Sequence, residues 1–198
     1  MGRKSLKEIR QQEIIKAFYK VAKKLGYENT SIAKVAKEMD VNPSLIIHYF
    51  ASKEDLKYAL IDYILERYLL IYQVDETKRD GIKRLEVIID RLFSKKWNSL
   101  FDDGLFYSFY AEAFREQKIK KKYKAILDSL RMGLMEVLND LKGEGIVQII
   151  DVSRTADLVF VLLDGAYFYL SLVDDKKLFE QKLELYKNEA YLILGIDH

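Results

Sequence analysis

The stretch Thr30–Leu56, TSIAKVAKEMDVNPSLIIHYFASKEDL, decides how the rest of the chain is read. Ile32, Val35, Ala36 and Met39 recur at the three- and four-residue spacing of one helical face. Thr30 or Ser31 can cap that helix by accepting backbone N–H bonds. The apolar pattern stops at Met39-Asp40-Val41, where a tight turn needs a left-handed residue, and Asp tolerates that conformation better than most side chains. Asn42 is a good N-cap, and Pro43 falls at the first helical position, where a missing N–H costs nothing. In this second helix Val41, Ile46 and Phe50 point inward, and Pro43, Ser44, Ile47 and His48 point out. The pattern predicts a helix-turn-helix: Ala36 lets the helices cross closely, and the second offers a short polar surface suited to the DNA major groove.

The same residues carry a family resemblance. The segment, above all HYF at 48–50 followed by SKEDL at 52–56, resembles the DNA-binding segment of TetR-type bacterial transcriptional repressors over roughly residues 8–60. Two departures stand out. The family usually has Gly at the position of Asp40, and often a tyrosine at that of Ile47. The resemblance implies a homodimer with a small-molecule ligand in a second domain.

Composition agrees with a helical globular chain. Of 198 residues, 49% are hydrophobic and 32% charged, with one proline and nine glycines. There is no cysteine, which excludes disulfides and thiolate chemistry and is compatible with the cytoplasm. No signal peptide is expected at the N-terminus, nor a membrane span, because the longest apolar run, 158–173, is interrupted by Asp164. The net charge of +2 is uneven: residues 1–60 hold 12 Lys/Arg against 7 Asp/Glu, and the remainder 21 against 24. A basic N-terminal third suits a chain that docks one end onto phosphate.

Helical periodicity runs through most of the chain. Residues 1–7 read either as a mobile basic arm that follows phosphates or as a solubilising tail. Helices are expected over about 8–25, 53–71, 82–97, 105–114, from the lysine-rich 118–124 to 141, 151–173 and 176–194. Ser52 and Asp55 resemble a capping box that opens the long helix at Lys53. The lysine run KIKKKYK keeps Ile119, Tyr123 and Ile126 in helical register, so it reads as a solvated helix face and takes no DNA role. The expected fold is all-α, with a DNA-binding domain at 1–52 and a ligand-binding and dimerisation domain at 53–198.

Enzyme chemistry finds few parts. The only histidines are His48 and His198, and no phosphate-cradling glycine motif or metal-ligand cluster occurs. Asp102-Asp103 and Asp174-Asp175 sit at expected helix starts, where carboxylates cap. No catalytic residue, metal or cofactor is therefore expected.

For DNA, Arg3, Lys4, Thr30, Tyr49 and Lys53 are expected to hold phosphates, with Pro43, Ser44 and His48 nearest base edges. Ser31 and Asn42 join this set, Asn42 as cap, phosphate contact or both. The abundant aromatics describe either an ordinary core or a pocket for a hydrophobic or cationic molecule. The resemblance favours the pocket, with Tyr68, Trp97, Phe101, Phe106, Tyr107, Tyr110, Phe114, Tyr123, Phe160 and Tyr167 as lining. The last two helices suggest a four-helix interface between two chains through Leu163, Tyr167, Leu170, Leu183, Tyr186 and Tyr191. The expectation is thus a ligand-responsive repressor that binds a palindromic operator as a homodimer. The alternative is a helical small-molecule-binding or protein-interaction module that does not bind DNA.

Overall fold

The computed structural model describes residues 5–74, 81–95 and 102–196. Among them the regular elements are nine α-helices and one short 3-10 turn. They are α1 (Leu6–Leu25), α2 (Ile32–Met39), α3 (Pro43–Tyr49), α4 (Lys53–Leu69), the 3-10 turn Leu70–Tyr72, α5 (Gly81–Leu92), α6 (Asp103–Ala113), α7 (Gln117–Gly143), α8 (Val152–Leu170) and α9 (Lys176–Leu194). No helix among the described residues is long and apolar enough to cross a membrane.

Caps explain most boundaries. The Ser5 hydroxyl accepts from the Glu8 N–H while Glu8 Oε2 accepts from the Ser5 N–H, a reciprocal box that starts α1 two residues before the expected Glu8. The S-x-x-E spacing of Ser5 and Glu8 is the local signal for this start. Asp102, Asp151 and Asp175 cap α6, α8 and α9 by accepting from N–H groups three residues on. α8 stops at Leu170, short of the expected Val173, because Ser171 to Val173 form turns back onto Tyr167, Tyr169 and Leu170.

The described residues pack as two units, 5–66 with 102–124, and 67–74 and 81–95 with 125–196; the divisions fall within α4 and α7. In the first unit Ile14, Phe18, Ala22, Val35, Ile46, Leu56, Phe109 and Ile119 are fully out of solvent. Each large apolar side chain so buried contributes about 1.5–3 kcal/mol. The lysine run at the start of α7 behaves as expected: Ile119 and Tyr123 are buried and Lys118, Lys120, Lys121 and Lys124 are exposed. Lys122 pairs with Asp62 and the Lys118 ammonium lies 3.5 Å from the Tyr58 ring centre.

In the second unit α8 packs along α9, and α9 also packs on α5. Gly133 is required here, since a Cβ on it would meet the Tyr72 ring at 2.6 Å. Tyr72 lies in that space and donates its hydroxyl to the Leu130 carbonyl at 2.5 Å. Arg131 of α7 holds Asp157 and Asp164 of α8, each at 3.1 Å, and lies 5.2 Å from the Phe160 ring centre.

Burial sorts the residues expected at an interface between two copies. Leu163, Leu170, Leu183 and Tyr191 are 8% exposed or less, and Tyr167 and Tyr186 are partly buried. Tyr167 donates its hydroxyl to the Leu92 and Ser94 carbonyls. Leu163, Leu170, Leu183 and Tyr191 thus pack within their own chain, and the Tyr167 hydrogen bonds lie within it too. The exposed apolar side chains here are Leu158, Val161, Phe168, Tyr169 and Leu172 on α8 and just beyond its end, and Leu178, Leu185 and Leu192 on α9. Both helices carry two apolar stripes on opposite sides. Periodicity alone cannot tell which one points inward.

Candidate nucleic-acid interface

Val35 and Ala36 of α2 are buried and the helix packs on α1, while its N-cap Ser31 is exposed. Ser31 caps it by accepting from the Lys34 N–H at 3.3 Å. The turn follows at Asp40, whose φ of 54° and ψ of 48° are left-handed. Asp40 is the one non-glycine residue with positive φ among those described. The Val41 N–H then donates to the Ala36 carbonyl at 3.0 Å and closes the turn. A short polar side chain eases the left-handed geometry through local hydrogen bonding. Asp40→Ala is therefore expected to lower stability by about 1 kcal/mol, while Asp40→Gly leaves it near wild type; thermal unfolding of both variants checks this.

α3 is built as its sequence dictates. Asn42 Oδ1 accepts from the Ser44 N–H at 2.9 Å and from the Ser44 hydroxyl at 2.8 Å. Pro43 occupies the first turn. Ile46 is completely buried and Phe50 nearly so, which pins one side of the helix. The other side presents Pro43, Ser44, Ile47 and His48 to solvent, with Ile47 at 52% exposure. His48 and Tyr49 meet edge to face at 5.0 Å. Ser52 then accepts from the Asp55 N–H and donates its hydroxyl to Asp55 Oδ2, which starts α4 and sets Lys53 at its first position.

The expected phosphate contacts separate once placed. Arg3 and Lys4 lie outside the described residues. Ser31, Asn42, Tyr49 and Lys53 are at or near the surface beside α3. Thr30 is not available: it is 2% exposed, and its hydroxyl donates to the Gly26 carbonyl at 2.8 Å. Its role is to lock the loop between α1 and α2. Lys53 reaches back to that loop, with its ammonium 3.3 Å from the Glu28 carbonyl and 4.1 Å from the centre of the Tyr27 ring.

Beneath this surface lies a group that the sequence reading missed. Lys57 is 3% exposed, and its ammonium donates to Glu112 Oε2 at 2.6 Å, with Glu116 Oε2 at 3.6 Å. Tyr58 donates its hydroxyl to Glu116. Burial alone pushes the Lys57 pKa down, but the hydrogen bond to Glu112 and the surrounding negative charge outweigh it and hold the group above the ordinary lysine value. Burial likewise pushes the Tyr27 phenol up to about 12, so it stays neutral beside the ammonium. The signal for Lys57 was its position: it falls on the same helical face as Leu56, Leu60, Ile61 and Ile64.

The expected ligand-lining residues fall into two groups. Phe106, Tyr107, Tyr110 and Tyr123 form one aromatic cluster in the first unit, with ring centres 5.4–6.5 Å apart, and Phe114 meets Tyr110 edge to face at 5.2 Å. Phe114 is largely exposed, and Tyr123 is buried and donates to the Phe106 carbonyl. Tyr68, Phe160 and Tyr167 belong to the second unit, where Phe160 is fully buried. Trp97 and Phe101 lie outside the described residues.

A short capped helix with one pinned face and one solvent-exposed face, packed on a second short helix across a tight turn, defines a helix-turn-helix DNA-binding protein. Comparison with known proteins narrows that class. The family described as bacterial regulatory proteins, tetR family, matches residues 14–60, and that described as tetracyclin repressor-like, C-terminal domain, matches residues 80–196. The chain belongs to the TetR family of transcriptional regulators. It is 24% identical over 182 residues to the HTH-type transcriptional regulator BetI of Agrobacterium fabrum, covering 87% of this chain and 82% of that one. A TetR transcription regulator from Haloarcula marismortui superposes with a TM-score of 0.79 at 23% identity, covering 95% of this chain and 97% of the other. A TetR-family regulator from Cytophaga hutchinsonii superposes with a TM-score of 0.77 at 18% identity, covering 99% and 98%. The chain is thus a ligand-responsive DNA-binding transcriptional regulator, as the relatives it resembles are transcriptional regulators.

Proposed function

We propose that this regulator is a cytoplasmic repressor that binds an approximately palindromic operator as a homodimer and is released by a small hydrophobic or cationic molecule. The observation that carries the reading is the solvent face of α3, where Pro43, Ser44, Ile47 and His48 stand over the buried Ile46. Such a face fits the major groove, with Ser31, Asn42, Tyr49 and Lys53 at flanking phosphates. Two α3 helices would enter successive grooves about 34–36 Å apart, or at a related spacing set by the dimer. In this division of labour residues 1–52 read DNA, helped by Lys53 at the boundary, and residues 53–198 bind the effector and the second copy. The effector must favour the DNA-incompetent state to have any effect.

Ile47 adds specificity that a tyrosine would not. Its exposed branched side chain has no hydrogen-bonding group, and the apolar mark in the major groove is the thymine methyl. Ile47→Ala is expected to relax preference at one base pair per half-site by about 1 kcal/mol, leaving the salt dependence unchanged. Selection of operators from random duplexes, repeated with the variant, measures it. Failure of the wild-type chain to enrich any duplex at low salt would overturn the whole reading.

A further inference from the structure

We propose that Tyr27 is the positioning residue for Lys53: its ring face and the loop that carries it fix the Lys53 ammonium where duplex phosphate will meet it. This rests on the reading of Lys53 as a phosphate contact. The loop between α1 and α2 has little freedom. Five successive carbonyls are engaged: Leu25 by the Asn29 side-chain amide, Gly26 by the Thr30 hydroxyl, Tyr27 by the Thr30 N–H, Glu28 by Lys53 and Asn29 by Lys34.

The ring is as constrained as the loop. Tyr27 is 7% exposed, and it meets Phe18 and Phe109 edge to face at 6.4 and 5.1 Å. Lys53 approaches to 4.1 Å from its centre and Lys57 to 5.1 Å. Two ammonium groups at one ring would repel each other if both charges were bare. Glu112 and Glu116 compensate Lys57, so the ring is left to attract Lys53.

A free lysine side chain loses rotamer entropy when it grips a phosphate. Here the loss has largely been met before DNA arrives. The ammonium has three N–H donors; the Glu28 carbonyl takes one, the Tyr27 ring faces another, and the third remains for a phosphate oxygen. Tyr27 thereby acts on affinity without touching the duplex.

The test is a double-mutant cycle on the full chain, with a duplex chosen by operator selection and a salt series for each variant. Tyr27→Phe keeps the ring and is expected to bind as wild type. Tyr27→Leu is expected to weaken binding about fivefold. Lys53→Ala should weaken it further and flatten the salt slope by about one per half-site. Adding Tyr27→Leu to Lys53→Ala should then change nothing more. Equal losses from Tyr27→Leu in both backgrounds, or no loss in either, would overturn the positioning role while leaving Lys53 as a phosphate contact. A Lys53→Ala variant with wild-type affinity and slope would remove both. Because Tyr27→Leu loosens a packed ring, a second measurement uses the unaltered protein. The Lys53 ε-methylene protons should resonate upfield of other lysines through the ring current, and unshifted resonances would sink the proposal.

Discussion

Lys57→Ala is expected to lower the unfolding free energy by about 3 kcal/mol, measured by urea denaturation. Removing one partner of a buried ion pair typically costs about 3–5 kcal/mol, because the other charge stays behind uncompensated. The lower end applies, since Glu112 and Glu116 keep 28% and 36% side-chain exposure and water can reach them. Glu112 Oε1 is already buried without a hydrogen-bond partner among the described residues, so losing the ammonium leaves this carboxylate poorly satisfied on both oxygens. Lys57→Ala with Glu112→Ala should therefore destabilise by less than the sum of the single variants. Additive losses would mean that the pair does not act as a unit. Lys57→Met, which keeps most of the stem volume, should fall between wild type and Lys57→Ala.

Val161→Glu together with Phe168→Glu is expected to separate the proposed dimer and to lower operator affinity by at least about a hundredfold, because each copy would bury unpaired carboxylates against the other. Both positions are exposed in the single chain, at 57% and 64%, so the monomer should keep its fold. The exposed stripe on α8 and its extension, Leu158, Val161, Gly165, Phe168 and Leu172, repeats at alternating three- and four-residue steps, as a helix that packs against other helices does. On α9 the same steps pass through Leu178, Gln181, Leu185, Asn188 and Leu192. Sedimentation of the double variant checks the dimer, and circular dichroism checks the fold. A dimer that persists would place the interface elsewhere. Leu163→Glu is the contrasting control: at 3% exposure it should unfold the chain instead of dividing the dimer.

How much of this was legible in the sequence depended on the range of the interaction. The helix-turn-helix came from contacts within a few residues: Ser31 on Lys34, the turn at Asp40, Asn42 on Ser44, Pro43 in the first turn and Ser52 on Asp55. Each can be read from residue type and spacing, because donor and acceptor are covalently near. The start of α1 obeyed the same logic and was legible in Ser5 and Glu8. Thr30 shows where local reading fails. A threonine before a helix either caps it or turns inward, and the choice depended on the Gly26 carbonyl and the packing above it.

Local sequence by itself therefore determined that this chain is all helical, that its N-terminal third carries a capped pair of crossing helices, and which α3 side chains face outward. Only the tertiary structure decided that Lys57 is a buried ion partner of Glu112, that the Lys53 ammonium lies over the Tyr27 ring, and that the apolar stripe left exposed on α8 runs through Val161 and Phe168 rather than Leu163 and Leu170. The partners in those contacts lie tens of residues apart, or the choice lies between two equally apolar sides of one helix. Periodicity states that a face is apolar. The identity of what covers it depends on how distant helices pack.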